Sequence, residues 1–175
     1  MDQLPKLWEQ YGAKPKQAQA ADPGEESVWS YPRPPAVILL KKDFSISLGQ
    51  EKILLAKQAI KMMETASPPT YYFDRESFNC TLVPSEKRSH CEWKGIASYL
   101  HFELSGQLLE NVAWSYEKPY GEYDMLKGLI SIYPSKFDIF IDQEKVRAQP
   151  GDFYGGWITS AIKGPFKGDP GTGSW

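Results

Sequence analysis

Residues 96–116, IASYLHFELSGQLLENVAWSY, decide the fold. Ile96, Ser98, Leu100, Phe102 and Leu104 fall on one side of an extended chain, and Ala97, Tyr99, His101 and Glu103 on the other. Ser105, Gly106 and Gln107 then turn the chain into a second run from Leu108 to Tyr116. Period-two alternation broken by a short polar turn is the pattern of two half-buried antiparallel strands. The pattern recurs on either side. Phe44, Ile46 and Leu48 alternate before Gly49 and Gln50 turn the chain into Ile53–Leu55. Phe137, Ile139 and Ile141 alternate before Asp142–Lys145 leads into Val146. Three such units predict a mainly-β domain. Their spacing is too irregular for a solenoid.

Helix is scarce. Ala56, Ala59, Ile60 and Met63 predict one short helix, ended by Ser67, Pro68 and Pro69. Residues 120–128 predict another turn or two, and Leu129–Tyr133 a strand that stops at Pro134. Residues 1–27 read as an arm, with Leu4, Leu7, Trp8 and Tyr11 on one helical face that Pro5 and Pro15 keep short. Val28 to Pro35 is an extended entry into a domain spanning 28–149. Residues 150–175 hold half of the fourteen glycines and predict an irregular tail. Phe153, Tyr154, Trp157, Phe166 and Trp175 lie in it, and burying each such side chain is worth about 2–3 kcal/mol. The tail is therefore expected to wrap onto the domain or a partner.

With 175 residues, 41% apolar and 24% charged, the chain can build one core. A net charge of −2 gives no long-range attraction to nucleic acid or anionic membrane, so neither partner is expected. No apolar run approaches the roughly 20 residues of a membrane span, and residues 1–20 lack the apolar stretch of a secretory signal. Cys80 and Cys91 are too few for a disulfide framework and read as reduced thiols in the cytoplasm. Oligomeric state is not encoded in these numbers.

Chemistry is concentrated between Ser89 and Glu117. That stretch holds both histidines, Cys91, Lys94, Trp93 and Trp114. Cys91 as a nucleophile needs a base or a positive field. His90 is adjacent and points to the opposite face of an extended chain, so His101 or Lys94 would have to approach through folding. The other reading of Cys91 is a buried, inert thiol. His90, Cys91, His101 and Cys80 offer four metal-ligand types, but their spacing matches no standard zinc pattern, and no metal or cofactor is expected. A third reading is a small-ligand pocket. Trp114 and Tyr116 share one strand face, Tyr99 and His101 share another, and Lys94 before Gly95 puts a cation at the rim. Such a wall stacks a planar ring while Lys94 and His90 hold a carboxylate or phosphate. Its counterpart is plain packing of Trp114 and Tyr116 with Lys94 solvated. Glu103 and Glu117 are proton-transfer partners or surface carboxylates. Tyr154 and Trp157, flanking Gly155 and Gly156, are a lid or a structural strap.

Several separated motifs carry a resemblance. YPRPP at 31–35 and PPTYY at 68–72 precede the block SHCEWKGIASY at 89–99, and AWSYEKP follows at 113–119. Over residues 28–147 the chain resembles the bacterial family called domain of unknown function 427, whose hallmark is THCPYKG followed by AWSY. Residues 152–168 resemble an extension found in part of that family. The resemblance implies a β-tent-like fold of two antiparallel sheets, with one or two short helices. It implies no established reaction. A nucleotidyltransferase label attached to the family finds no support here, because the chain has neither a phosphate-binding glycine loop followed by Lys and Ser/Thr nor a paired acidic strand motif. Ser89, Glu92 and Trp93 stand where the family pattern has Thr, Pro and Tyr. The paired Cys-x-x-Cys knuckles that hold zinc in other β-tent proteins are missing, so that role does not transfer.

The leading functional expectation is a cytosolic domain binding a small anionic or planar ligand through His90, Cys91, Lys94, Tyr99, His101, Trp114 and Tyr116. A hydrolase or group-transfer enzyme using Cys91 or His90 is one alternative. A protein-interaction module using the aromatic arm and tail is the other.

Overall fold

The computed structural model describes residues 18–151 and 153–172. The expectations made for Leu4, Leu7, Trp8, Tyr11 and Trp175 fall outside the described residues. The rest is mainly β. A five-stranded antiparallel sheet is built around the long hairpin of β2 (Ala36–Leu48) and β3 (Glu51–Glu64), numbered after a two-residue β1 (Glu26–Ser27). Its other members are β4 (Ser67–Tyr72), β9 (Asp138–Ile141) and β10 (Glu144–Lys145), in the order β10-β9-β2-β3-β4. The second sheet is the meander β5 (Thr81–Cys91), β6 (Gly95–Leu104), β7 (Gln107–Ser115) and β8 (Ile130–Ile132). The three hairpins read from alternation are thus β2–β3, β6–β7 and β9–β10.

The two sheets meet along one edge. Phe73, just past β4, and Ile130 at the start of β8 exchange both backbone hydrogen bonds at 2.9 Å. This seam makes the arrangement tent-like. It lets side chains of both sheets enter two aromatic clusters. Even-numbered Leu100 and Phe102 of β6 join the main core with Phe44, Ile46, Phe73, Ile130 and Ile139. Odd-numbered Ala97 and Tyr99 of the same strand join Met62, Tyr72, Trp114, Tyr116 and Tyr133 in the second cluster. Burial on both faces is the consequence of alternation in a strand covered on both sides.

The helix expected from Ala56 to Met63 is instead the second half of β3. Its residues pair with β2 from Ala36 to Phe44 and with β4 from Ser67 to Tyr72. EKILLAKQAIKMME is rich in helix formers, but a helix there would leave two flanking strands without ladder partners, so tertiary pairing overrides local propensity. Pro68 and Pro69 do not end a helix. They lie in β4 at a register shift between Met62 and Glu64, where missing N–H donors are tolerated. The turn expected over 120–128 is present as a 3₁₀ segment, Gly121–Leu126. The entry at Val28–Ser30 is a 3₁₀ turn rather than extended chain. It buries Trp29 and Tyr31, and the Trp29 indole N–H donates to the Pro165 carbonyl at 2.8 Å.

Beyond residue 146 the chain forms two small ladders. β11 (Arg147–Ala148) pairs antiparallel with β12 (Trp157–Ile158), and β13 (Ile162–Lys163) pairs parallel with β1. Trp157 is fully buried, its ring 4.9 Å from Tyr71 and 5.9 Å from Phe73. Tyr154 and Phe166 are half-buried. Phe153 departs from the burial expected of it, with 64% of its surface exposed.

Candidate functional site

The site is built around the tight turn between β5 and β6. Cys91 pairs with Gly95, leaving Glu92, Trp93 and Lys94 as a three-residue loop. Gly95 has φ +90°, a conformation that side-chain-bearing residues rarely adopt, and it returns the chain into β6. This geometry drives Lys94 inward instead of into solvent. Its side chain is only 9% exposed, and its ammonium lies 5.9 Å from the Tyr116 ring centre and 3.7 Å from Glu64 on β3. Burial pulls the Lys94 pKa down, but Tyr72, Glu64 and Cys91 outweigh it and hold the group up at about 12. Tyr72 is itself buried and pushed above the ordinary phenol range, so at neutral pH the balancing negative charge is that of Glu64.

Lys94 lines a cleft of about 450 Å³. The aromatic wall is Tyr72 of β4, Tyr99 of β6, Trp114 of β7, Tyr116 just past β7 and Tyr133 just past β8. Trp114 lies 4.9 Å from Tyr133, and Tyr99 stacks on Tyr133 at 6.4 Å. The phenols are linked: Tyr133 donates to Tyr99 at 3.3 Å, and the Trp114 indole N–H donates to Tyr72 at 3.4 Å. Burial raises the pKa of Tyr116 and of Tyr133, so both keep their protons and remain donors. The tail contributes part of the border. Phe153, Tyr154 and Gly155 line the cleft, and the Phe153 carbonyl, 3.3 Å from the Tyr133 hydroxyl, is a second acceptor that competes with Tyr99 for its one proton. Gln149 fixes this loop by accepting from the Gly156 N–H at 3.1 Å and donating to the Lys167 carbonyl at 2.7 Å.

Of the sequence candidates, His90, Cys91, Lys94, Tyr99, Trp114 and Tyr116 all border this one cleft. His90 is exposed at the rim, its Nε2 3.2 Å from the Tyr120 hydroxyl. Cys91 is half-buried and close enough to Lys94 and Tyr116 to affect the proton affinity of both. His101 is not part of the cleft. Its Nδ1 accepts the Asn111 N–H at 3.0 Å, across the irregularity in the β6–β7 ladder where Asn111 takes φ +52°. Its role is to satisfy a backbone donor that the ladder leaves free. Cys80 lies against the main core instead, and burial pushes its thiol up to about 11. Glu103 is exposed, and Glu117 accepts from Arg75 at 3.2 Å and from the Ser115 hydroxyl, so neither faces the cleft. Of the two proposed lid residues, Tyr154 borders the cleft and Trp157 is inside the core.

Sequence reasoning missed Glu64, Tyr72, Tyr133 and Gln149. PPTYY marked Tyr72 as notable but could not aim it; nothing local distinguished Glu64 or Gln149 from surface residues. Among the described residues no group of three or more His, Cys, Asp and Glu side chains could hold a metal ion. No helix among them is long and apolar enough to cross a membrane.

Fold and cleft define a mainly-β protein of two joined antiparallel sheets, with a buried lysine facing aromatic residues. The chain belongs to the family described as a domain of unknown function (DUF427), whose model matches residues 36–143. A comparison with curated proteins returns no match.

Proposed function

We propose that the protein binds a small molecule in this cleft, with an anionic group on Lys94 and a planar body against the aromatic wall. In this reading Trp114 and Tyr133 provide the apolar surface, Tyr116 a hydrogen-bond donor and His90 a polar rim contact. One observation carries it. The Lys94 ammonium stays charged although almost buried, yet among the described residues its nearest carboxylate, Glu64, is 3.7 Å away, beyond hydrogen-bonding distance. Its closer contact is the Cys91 thiol, a weak acceptor, whereas a desolvated ammonium with three donors ordinarily takes stronger partners, and an anion entering the cleft would supply one. The two free thiols fit a protein of the cytoplasm.

Thermal unfolding at pH 7.5 with millimolar benzoate or inorganic phosphate tests this reading. Ligand at about 100 times its Kd stabilises the fold by about 2.7 kcal/mol, a shift of several degrees for a protein of this size. Such a rise with either anion in the wild type, lost in a folded Lys94→Met variant, is the expected result. Identical curves with and without both anions would overturn it.

A further inference from the structure

The charges lining the cleft define the ligand class more narrowly, an inference that rests on the binding role proposed above. Two lysines, Lys94 and Lys167, and two glutamates, Glu64 and Glu92, line the space, and among the described residues no arginine borders it. Lys94 is the buried cation, and Glu64 already stands 3.7 Å from it. Lys167 sits at the tail border, its ammonium 5.7 Å from the Tyr154 ring. One further negative charge can be accommodated at Lys94. A second would face Glu64 with no additional buried cation, and at an effective dielectric constant near 20 a charge about 5 Å from a carboxylate alters affinity more than tenfold.

We infer that the cleft is a site for a planar monocarboxylate, with the carboxylate on the Lys94 ammonium and the ring on the aromatic wall. Phosphate monoesters and nucleotides, which carry two or more charges at neutral pH, are discriminated against by Glu64. Glu64 is thus a specificity-determining residue, and the charge balance runs against a nucleoside triphosphate as the ligand.

Calorimetric titration of the full chain at pH 8 with benzoate and with phenyl phosphate tests the inference. The two probes share one ring, and phenyl phosphate is a dianion there because its second pKa is about 6. Benzoate is expected to bind the wild type at least tenfold more tightly, and Glu64→Gln is expected to narrow that ratio by tightening phenyl phosphate. The wild-type comparison needs no variant to fold. Phenyl phosphate binding as tightly as benzoate, with both lost in Lys94→Met, would leave the cleft as a binding site and overturn the monocarboxylate class. An unchanged ratio in folded Glu64→Gln would remove Glu64 as its cause. Failure of both probes to bind the wild type would overturn the inference together with the binding role.

Discussion

Gly155 shows how closely the tail is fitted to the site. A Cβ built on it would come within 2.2 Å of the Trp114 ring edge, and rigid indole atoms cannot move aside as the end of a flexible chain can. Gly155→Ala must therefore displace either the tail or the indole. The expected cost is about 1–3 kcal/mol in urea denaturation, as for other overpacked sites, with a shift in tryptophan emission. Unchanged stability and emission would show that the tail does not pack on Trp114. At this scale the sequence marked residues that the fold brings together, but not their company. His90, Cys91, Lys94, Tyr99, Trp114 and Tyr116 are close in the chain and meet in one cleft. His101 shares the Tyr99 side of β6, and alternation alone groups the two. The ladder irregularity at Asn111 gives its ring nitrogen a backbone partner instead, and no local pattern announces that.

Among the elements, β6–β7 and β3 mark the two extremes of legibility. The β6–β7 hairpin is written into its own alternation and turn, so it could be read without knowing its neighbours. β3 carries helix-forming residues and becomes a strand because β2 and β4 pair with it on both sides. The small β12 is the third case: two residues, invisible as a strand in sequence, yet carrying the largest fully buried side chain among the described residues, Trp157. Trp157→Ala is expected to cost about 3–5 kcal/mol, seen as a lower urea midpoint with loss of the tertiary aromatic circular dichroism signal. A midpoint within experimental error of the wild type would mean that residues beyond 150 contribute little to the core. Trp157 lies outside the span matched by the family model, so this chain completes its main core with residues that the family description does not include.

Across the whole molecule, aromatic burial makes stability sensitive to alkali. Tyr31, Tyr71, Tyr72, Tyr116 and Tyr133 all have pKa values raised primarily by burial. Unfolded phenols ionise near pH 10, whereas these stay protonated in the fold. Their contribution is whole below about pH 10 and is lost as pH rises beyond it. Lys94, held at about 12 in the fold against about 10.5 in the unfolded chain, acts with the same sign over the upper part of that window. Urea midpoints are therefore expected to be level from pH 7 to 9 and to fall steeply between pH 10 and 12. A flat profile through pH 12 would contradict the burial of these phenols. The sequence by itself determined the mainly-β class, the three hairpins and the neighbourhood of the cleft, because alternation and turn chemistry are local properties of the chain. Only the tertiary structure decided that β3 is a strand, that Glu64 stands beside Lys94, that Tyr133 lines the same cleft, and that Trp157 belongs to the core. Each of those outcomes rests on partners far away along the chain, and backbone pairing and burial between distant segments leave little trace in local sequence.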